Sequence, residues 1–325
     1  MVLILDAQAV RAVLSMKDCI DIVEKAFAEL ALSNVVMPLR STMRMARHDG
    51  VSLYMPAYVG GQIEALACKI VTVYKSNPAK FNLPTILGTV LVQNPRTGAV
   101  ECIMNGGIVT AMRTGAVSGV AAKYLARKNS KIVGLFGAGT QARTQLEAIS
   151  EVVQVEECLV YDTSPDAARK LANDMSSRLA IKVAAVSYKP VDVDIILTAT
   201  TATSPILDGS KLKEGTFISG VGSHAPDSRE LDTETIKKSK LVVDQRSACL
   251  AEAGDILIPI KEGAISADHI YAELGELILK KKDGRTDEKE ITLFKSVGLA
   301  VQDAATAELV YERASTAGIG VQVAL

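Results

Sequence analysis

The spacing of hydrophobic and polar residues changes character twice along the chain. In residues 16–33, MKDCIDIVEKAFAELALS, the apolar positions Ile20, Val23, Ala26, Phe27 and Leu30 recur every three or four residues between charges. That interval predicts an amphipathic helix on the surface of a first domain. From Pro38 to Val100 the texture is one of short β-type runs, VSLYMPAY, ALACKIVTVYK and TILGTVLVQN, punctuated by Gly, Pro and Asn. Runs of this kind, with a turn at Asn94 to Gly98, predict hairpins and a mostly antiparallel sheet.

After residue 105 the pattern changes again. TAMRTGAVSGVAAKYLARK reads as a helix crowded with Gly, Ala and Ser, suited to close packing against another backbone. Strands then alternate with helices: IVGLF, a helix to about 150, CLVYD, a helix over 165–178, IKVAAV, DIILTAT, TFISGVG and LVVD. Apolar rather than half-polar strands in alternation with helices predict a parallel sheet covered on both faces. The strand in EITLFKSVG is followed by a long helix, LAVQDAATAELVYERAST, expected to return to the first part of the chain. The fold class is therefore α/β, a doubly wound parallel sheet plus an α+β domain. A substantial interface and a cleft between the two domains are expected.

At 325 residues, two domains are the natural expectation at roughly 150 residues each. The composition has one unusual value: five Phe, eight Tyr and no Trp. With so few aromatics, a stacking platform for single-stranded nucleic acid is hard to build. The formal net charge of −1 provides no basic surplus for DNA or for an anionic membrane surface. No apolar run reaches the length of a bilayer span, and MVLILDAQAV has no basic segment of the signal-peptide kind. Five cysteines, odd in number and without a Cys-x-x-Cys, read as reduced thiols in a cytoplasm. No cluster has metal-ligand spacing, so a metal is not expected.

One segment carries a recognisable ligand chemistry. Gly137-Ala-Gly139-Thr-Gln-Ala142 follows an apolar strand and opens a helix, the context in which G-x-G-x-x-G/A binds a dinucleotide. Gly137 allows the tight turn, Gly139 leaves room for a pyrophosphate, Ala142 lets helix meet strand, and the helix N-terminus faces the phosphates. Asp162 ends the next strand 23 residues after Gly139, where a carboxylate accepts hydrogen bonds from an adenosine ribose. That carboxylate repels a 2′-phosphate, so NADH is preferred to NADPH, although Arg143 just past the fingerprint softens the preference.

The first domain offers four cations at strand or helix ends, Arg40, Arg44, Lys69 and Arg113. Solvated surface charge explains an ordinary Arg or Lys, but Lys69 interrupts the apolar run ALACKIVTV and needs an anion there. Arg113 lies among small residues, where a guanidinium can grip a carboxylate with two hydrogen bonds. Together they imply an acidic substrate. His224 follows the strand TFISG on the side where ligands of open α/β sheets bind, and its titration range suits proton transfer. A structural hydrogen bond accounts for a loop histidine equally well.

In combination, MPAY at 55–58, the lysine of ACKIV, MRTGAVSG, GAGTQA, LVYDTS, RELD and FKSVGLAVQD resemble the ornithine cyclodeaminase and mu-crystallin family over essentially the whole chain. The resemblance implies a substrate-binding and dimerisation domain from 1–115 and 300–325, with a Rossmann domain over 116–299. It implies that Arg40, Lys69 and Arg113 hold a substrate carboxylate and that Thr140 and Gln141 contact the pyrophosphate. Asp162 would take the ribose, and Thr200, Val221, Gly222, Ser223 and Ser296 would line the rest of the cofactor. Gly137, Gly139, Arg113 and its neighbour Thr114 join that cofactor set.

The family's activities include ornithine cyclodeamination, alanine dehydrogenation and reduction of cyclic imino acids. Where cyclodeaminases and the archaeal alanine dehydrogenase resemble G-x-D-x-P-G-K, this chain has Gly222-Ser223-His224-Ala225-Pro226-Asp227-Ser228. The acid/base aspartate is replaced by His224, which puts cyclodeamination in doubt. Reduction of a preformed C=N bond asks for less: a clamp for the carboxylate, and Lys69 or His224 to return a proton. The leading expectation is a cytoplasmic homodimer that uses NADH, or NADPH, to reduce Δ1-pyrroline-2-carboxylate to L-proline, with Δ1-piperideine-2-carboxylate as a second substrate. Alanine dehydrogenase and ornithine cyclodeaminase are the alternatives within the fold. A crystallin-like protein that binds cofactor and ligand is the alternative of another class.

Overall fold

The helix expected over 16–33 forms at Met16–Ala31, started by Ser15, whose hydroxyl accepts the Asp18 N–H at 3.2 Å. Cys19, Ile20, Val23, Ala26 and Phe27 are its buried stripe. In the computed structural model, which describes residues 1–324, the chain divides into two compact units, Met1–Arg113 with Leu299–Leu325, and Thr114–Gly298. Leu325, the last residue of the expected first domain, lies outside the described residues.

The first unit is built on an eight-stranded sheet. Its main path runs 321–323, 2–5, 100–105, 86–93, 65–74, 50–59, 35–36, with 41–45 pairing the outer part of 50–59. The long pairs are antiparallel hairpins, while Val2–Leu5 joins Val100–Asn105 in parallel. Neither Val2–Leu5 nor Val321–Val323 stands out in the sequence pattern, because strands of three or four residues carry too few positions to show a period.

Alternation puts one row of side chains across the covered face of this sheet. Leu5, Met104, Val90, Lys69 and Met55 are successive cross-strand partners, and all are buried. The next row, Leu3, Cys102, Val92, Ala67 and Ala57, is buried and uncharged. Lys69 is therefore the one ion in an apolar layer. The helix Ala300–Ala317 packs on that face and also against Met16–Ala31. Its alanines at 300, 304, 305, 307 and 314 are all buried, as small residues must be where a helix is enclosed between a sheet and a second helix.

The second unit is an eight-stranded, wholly parallel sheet, in the order 182–185, 157–161, 132–136, 195–198, 217–220, 291–295, 239–243, 270–273. Every residue of Ile195–Thr198 and Phe217–Gly220 is buried, which is why these strands read as unbroken apolar runs. Strand order reverses between 132–136 and 195–198, the switch point at which doubly wound sheets bind ligands. The helix Gly106–Leu125 contains the boundary between the units. Gly115 on it lies so close to the helix Thr140–Val152 that a Cβ would stand 2.3 Å from the Thr144 carbonyl oxygen. Close approach of two backbones is thus what its run of small residues serves.

Candidate active site

In the first unit, three elements distant in sequence bring charges together. Lys69 comes from the strand Ala65–Tyr74, Arg113 from the helix Gly106–Leu125 and Asp303 from the first turn of Ala300–Ala317. Their exposures are 2%, 5% and 1%. Lys69 Nζ lies 2.7 Å from Asp303 Oδ2, and Arg113 Nε donates to Asp303 Oδ1 at 2.9 Å. Arg113 Nη1 donates to Gln302 Oε1 at 2.7 Å. Asp303 thus supplies an anion of the kind that a buried Lys69 requires.

Arg40 also lies close enough to Lys69 to disfavour its charge. Burial, followed by repulsion from Arg113, pushes the Lys69 ammonium down to about 7, against the pull of Asp303. The Asp303 carboxyl is held below its usual value: burial opposes ionisation, but Arg113 and then Lys69 outweigh it. Arg44, the fourth cation singled out in the sequence, is exposed on the strand Ser41–Met45 and is not one of the buried group.

The second unit presents the fingerprint as expected from its residues. Gly137 has φ +100°, and a Cβ there would stand 2.5 Å from the Ala199 carbonyl oxygen. Gly139 caps the helix Thr140–Val152, with no side chain bonded to its first amides and no atom within 4 Å of where its Cβ would be. Gln141 Oε1 is buried with no hydrogen-bond partner. Asp162 accepts the Ala138 N–H at 2.8 Å through Oδ2 and the Ser164 N–H at 2.7 Å through Oδ1. One carboxylate so ties the fingerprint turn to the end of the next strand, with lone pairs remaining for hydroxyl donors. Arg143 forms an ion pair with Asp174 at 3.0 Å. Open space at Gly139, uncapped amides and a carboxylate at the second strand end fit a dinucleotide.

Two of the remaining positions implied for the cofactor, Thr200 and Gly222, bond a residue not singled out from the sequence. Glu230 is fully buried and accepts four bonds: from Thr200 N–H and Oγ1–H at 2.7 Å each, from Thr198 Oγ1–H at 2.9 Å and from Gly222 N–H at 2.8 Å. Burial raises its pKa despite the nearby Lys295 and the Thr200 bonds. Behind it, Asp255 Oδ1 accepts the Glu230 and Leu231 N–H groups, and Lys295 pairs with Asp255 at 2.7 Å, both side chains fully buried. Lys295 Nζ also donates to the Ser223 carbonyl at 2.7 Å. Ser296 Oγ donates to Asp244, which also accepts the Val297 and Gly298 N–H groups. Val221 N–H bonds the Thr198 carbonyl at 3.2 Å. His224 is exposed on the same loop, four residues past the strand Phe217–Gly220, and Thr114 is buried at the start of the unit.

Among the described residues, no group of three or more His, Cys, Asp or Glu could hold a metal ion, and no helix is long and apolar enough to cross a membrane. The profile of the ornithine cyclodeaminase/mu-crystallin family matches residues 2–318. The chain belongs to this family. Among family members, a Δ1-pyrroline-2-carboxylate reductase of Bacillus cereus is 38% identical over 323 residues, covering 98% of both chains. The solved structure of the Thermococcus litoralis Δ1-pyrroline-2-carboxylate reductase, in complex with NADH and L-proline, is 49% identical with a TM-score of 0.95, covering 99% of this chain and all of the other. An archaeal alanine dehydrogenase, solved as a dimer with bound NAD, is 35% identical with a TM-score of 0.94 and covers 100% of this chain and 99% of its own.

Proposed function

We propose that this protein reduces Δ1-pyrroline-2-carboxylate to L-proline with NADH, and accepts the six-membered Δ1-piperideine-2-carboxylate as well. The carrying observation is the full-length similarity to the Thermococcus litoralis reductase, which holds NADH and L-proline. Support from this chain's own residues is the convergence of Lys69 and Arg113 on one buried carboxylate, with Arg40 near by. In this reading the first unit binds substrate and the second binds the dinucleotide.

Arg40, Lys69 and Arg113 grip the carboxylate. NADH supplies the hydride for the imine carbon when bound through Gly137, Gly139, Thr140, Gln141, Asp162, Thr200, Val221 to Ser223 and Ser296, with Arg113 and Thr114 beside it. Lys69, with an ammonium that titrates at about 7, returns the proton to the ring nitrogen, directly or through water. His224 is the other group able to do so. Asp162 favours NADH over NADPH, since it would repel a 2′-phosphate, and Arg143 is engaged by Asp174. His224 at the place of the cyclodeaminase aspartate argues against cyclodeamination.

We also propose a homodimer. The uncovered face of the first unit's sheet carries Tyr54, Pro56, Leu66, Cys68 and Leu91, all only partly buried, and the exposed Ile70, an apolar surface of the kind that marks an interface. None of the five cysteines forms a disulfide among the described residues, which suits a reducing cytoplasm. NADH oxidation with each cyclic imino acid, set beside alanine-dependent NAD reduction and ammonia release from L-ornithine, tests the reading. Turnover with alanine or ornithine but not with the imino acids would replace it, and NADH binding without any turnover would favour a binding protein. Light scattering that gives the mass of a single chain would remove the dimer.

A further inference from the structure

Asp303 is the residue on which the two buried cations of the first unit converge, and it does not reach them by chance of a surface contact. All three side chains are almost fully enclosed, and each comes from a different element. We propose that Asp303 is a positioning residue for the reduction, its two carboxylate oxygens holding Lys69 and Arg113 in the one arrangement that can grip a substrate carboxylate. This rests on the substrate reading above.

The donors can be counted. Arg113 has five N–H groups, and the bonds from Nε to Asp303 and from Nη1 to Gln302 take two of them. Two anchored nitrogens hold the plane of the guanidinium. Lys69 Nζ forms an ion pair with Asp303 Oδ2 at 2.7 Å. The groups facing Lys69 are Asp303 from the C-terminal helix, Arg113 from Gly106–Leu125 and Arg40 from the segment before Ser41, while its sheet neighbours Met55 and Val90 are apolar. Asp303 is the only member of this group that favours a charged Lys69; burial, Arg113 and Arg40 all oppose it.

Removing that carboxylate therefore has two linked effects. Arg113 loses the bond that orients it, and Lys69 loses its proton at a lower pH. Substitution by Asn keeps the size but presents an NH2 group to at least one cation, so it cannot serve both. Substitution by Glu keeps the charge but lengthens the side chain, so it restores the ionisation of Lys69 better than the geometry of the pair.

The experiment compares wild type, Asp303→Asn and Asp303→Glu by steady-state kinetics across pH, by NADH fluorescence titration, and by NMR of the Lys69 side chain in lysine-labelled protein, assigned with Lys69→Met. For Asp303→Asn, kcat/KM for the imino acid is expected to fall at least tenfold, with NADH affinity within threefold of wild type. The limb on which activity is lost with rising pH, and the Lys69 titration itself, are expected to move to lower pH by about one unit or more. For Asp303→Glu the limb stays near its wild-type position while KM rises severalfold. An Asn variant with wild-type kcat/KM and an unmoved Lys69 titration would overturn the proposal. Should the Asn variant fail to fold, the Glu variant decides: a KM equal to that of wild type would overturn it, since arrangement would then not matter. If wild type reduces no cyclic imino acid, the functional reading fails by itself, and the NMR titration still reports whether Asp303 governs Lys69.

Discussion

The two regions built for ligands handle buried charge in opposite ways. Around Lys69, two cations converge on the carboxylate of Asp303, and burial together with Arg113 and Arg40 disfavours the lysine's charge. Around Glu230, Asp255 and Lys295, the fully buried charges are matched by one another, by backbone N–H groups and by threonine hydroxyls. The first arrangement is suited to seizing a carboxylate and the second to holding loops still. A buried ion is thus a candidate for ligand chemistry where like charges crowd it and perturb its titration, and less so where backbone and hydroxyl groups tie it into the frame.

The comparison can be broken most forcefully at the cations. Lys69→Ala and Arg113→Ala are each expected to lower kcat/KM for the imino acid by about a hundredfold or more, the loss of charged hydrogen bonds in a dry site, with NADH affinity nearly unchanged for Lys69→Ala. Equal loss of NADH affinity, read by fluorescence, would contradict the division of labour. Next in size, Glu230→Ala strands four donors and is expected to lower stability by about 2–4 kcal/mol, seen as a lower Tm, and to weaken NADH binding through Thr200 and Gly222.

Two smaller changes sharpen the contrast. Gly139→Val is expected to weaken NADH about tenfold with little change in Tm, because nothing in the protein occupies the space its Cβ would take. Gly137→Ala, strained at φ +100° and facing Ala199, should lower Tm as well. The smallest effect expected is on pH. Lys69 has its folded pKa at about 7, below the unfolded lysine value, so its protonated form, and with it kcat/KM, declines as pH rises through about 7. The same displacement means the unfolded chain binds the extra proton between about 7 and about 10.4, so this group's contribution to stability improves with pH across that window. Activity that rises through neutral pH would assign the proton to another group.

Much of the fold is legible in the chain because its signals are local. Apolar runs alternating with helices give a parallel sheet, and GAGTQA between strand and helix marks the turn without reference to any distant residue. Short elements escape: the helices Arg246–Glu252 and Gly254–Lys261 and the strand Ile270–Glu273 are not singled out. Lys69 and Arg113 are conspicuous one at a time, as ions in apolar or small-residue surroundings. Their partner is not, because Asp303 lies 190 positions beyond Arg113 and pairing over that distance is set by topology. A signal was nonetheless present, since Asp303 is as anomalous in LAVQDAATA as Lys69 is in ALACKIVTV. Glu230 in RELD carries no such mark, being an acid among other polar residues.

The return of the helix Ala300–Ala317 to the sheet of the first unit has a consequence for synthesis. Lys69 and Arg113 leave the ribosome early, but the carboxylate that neutralises them and the helix that covers Met55, Val90 and Met104 follow only after the whole parallel sheet has been made. At the 5–20 residues per second typical of translation, the nascent first unit spends on the order of ten seconds or more with its apolar face open and two cations unpaired. The first segment to be translated is therefore the last to finish folding, and chaperone capture of the nascent chain should concentrate on this sheet.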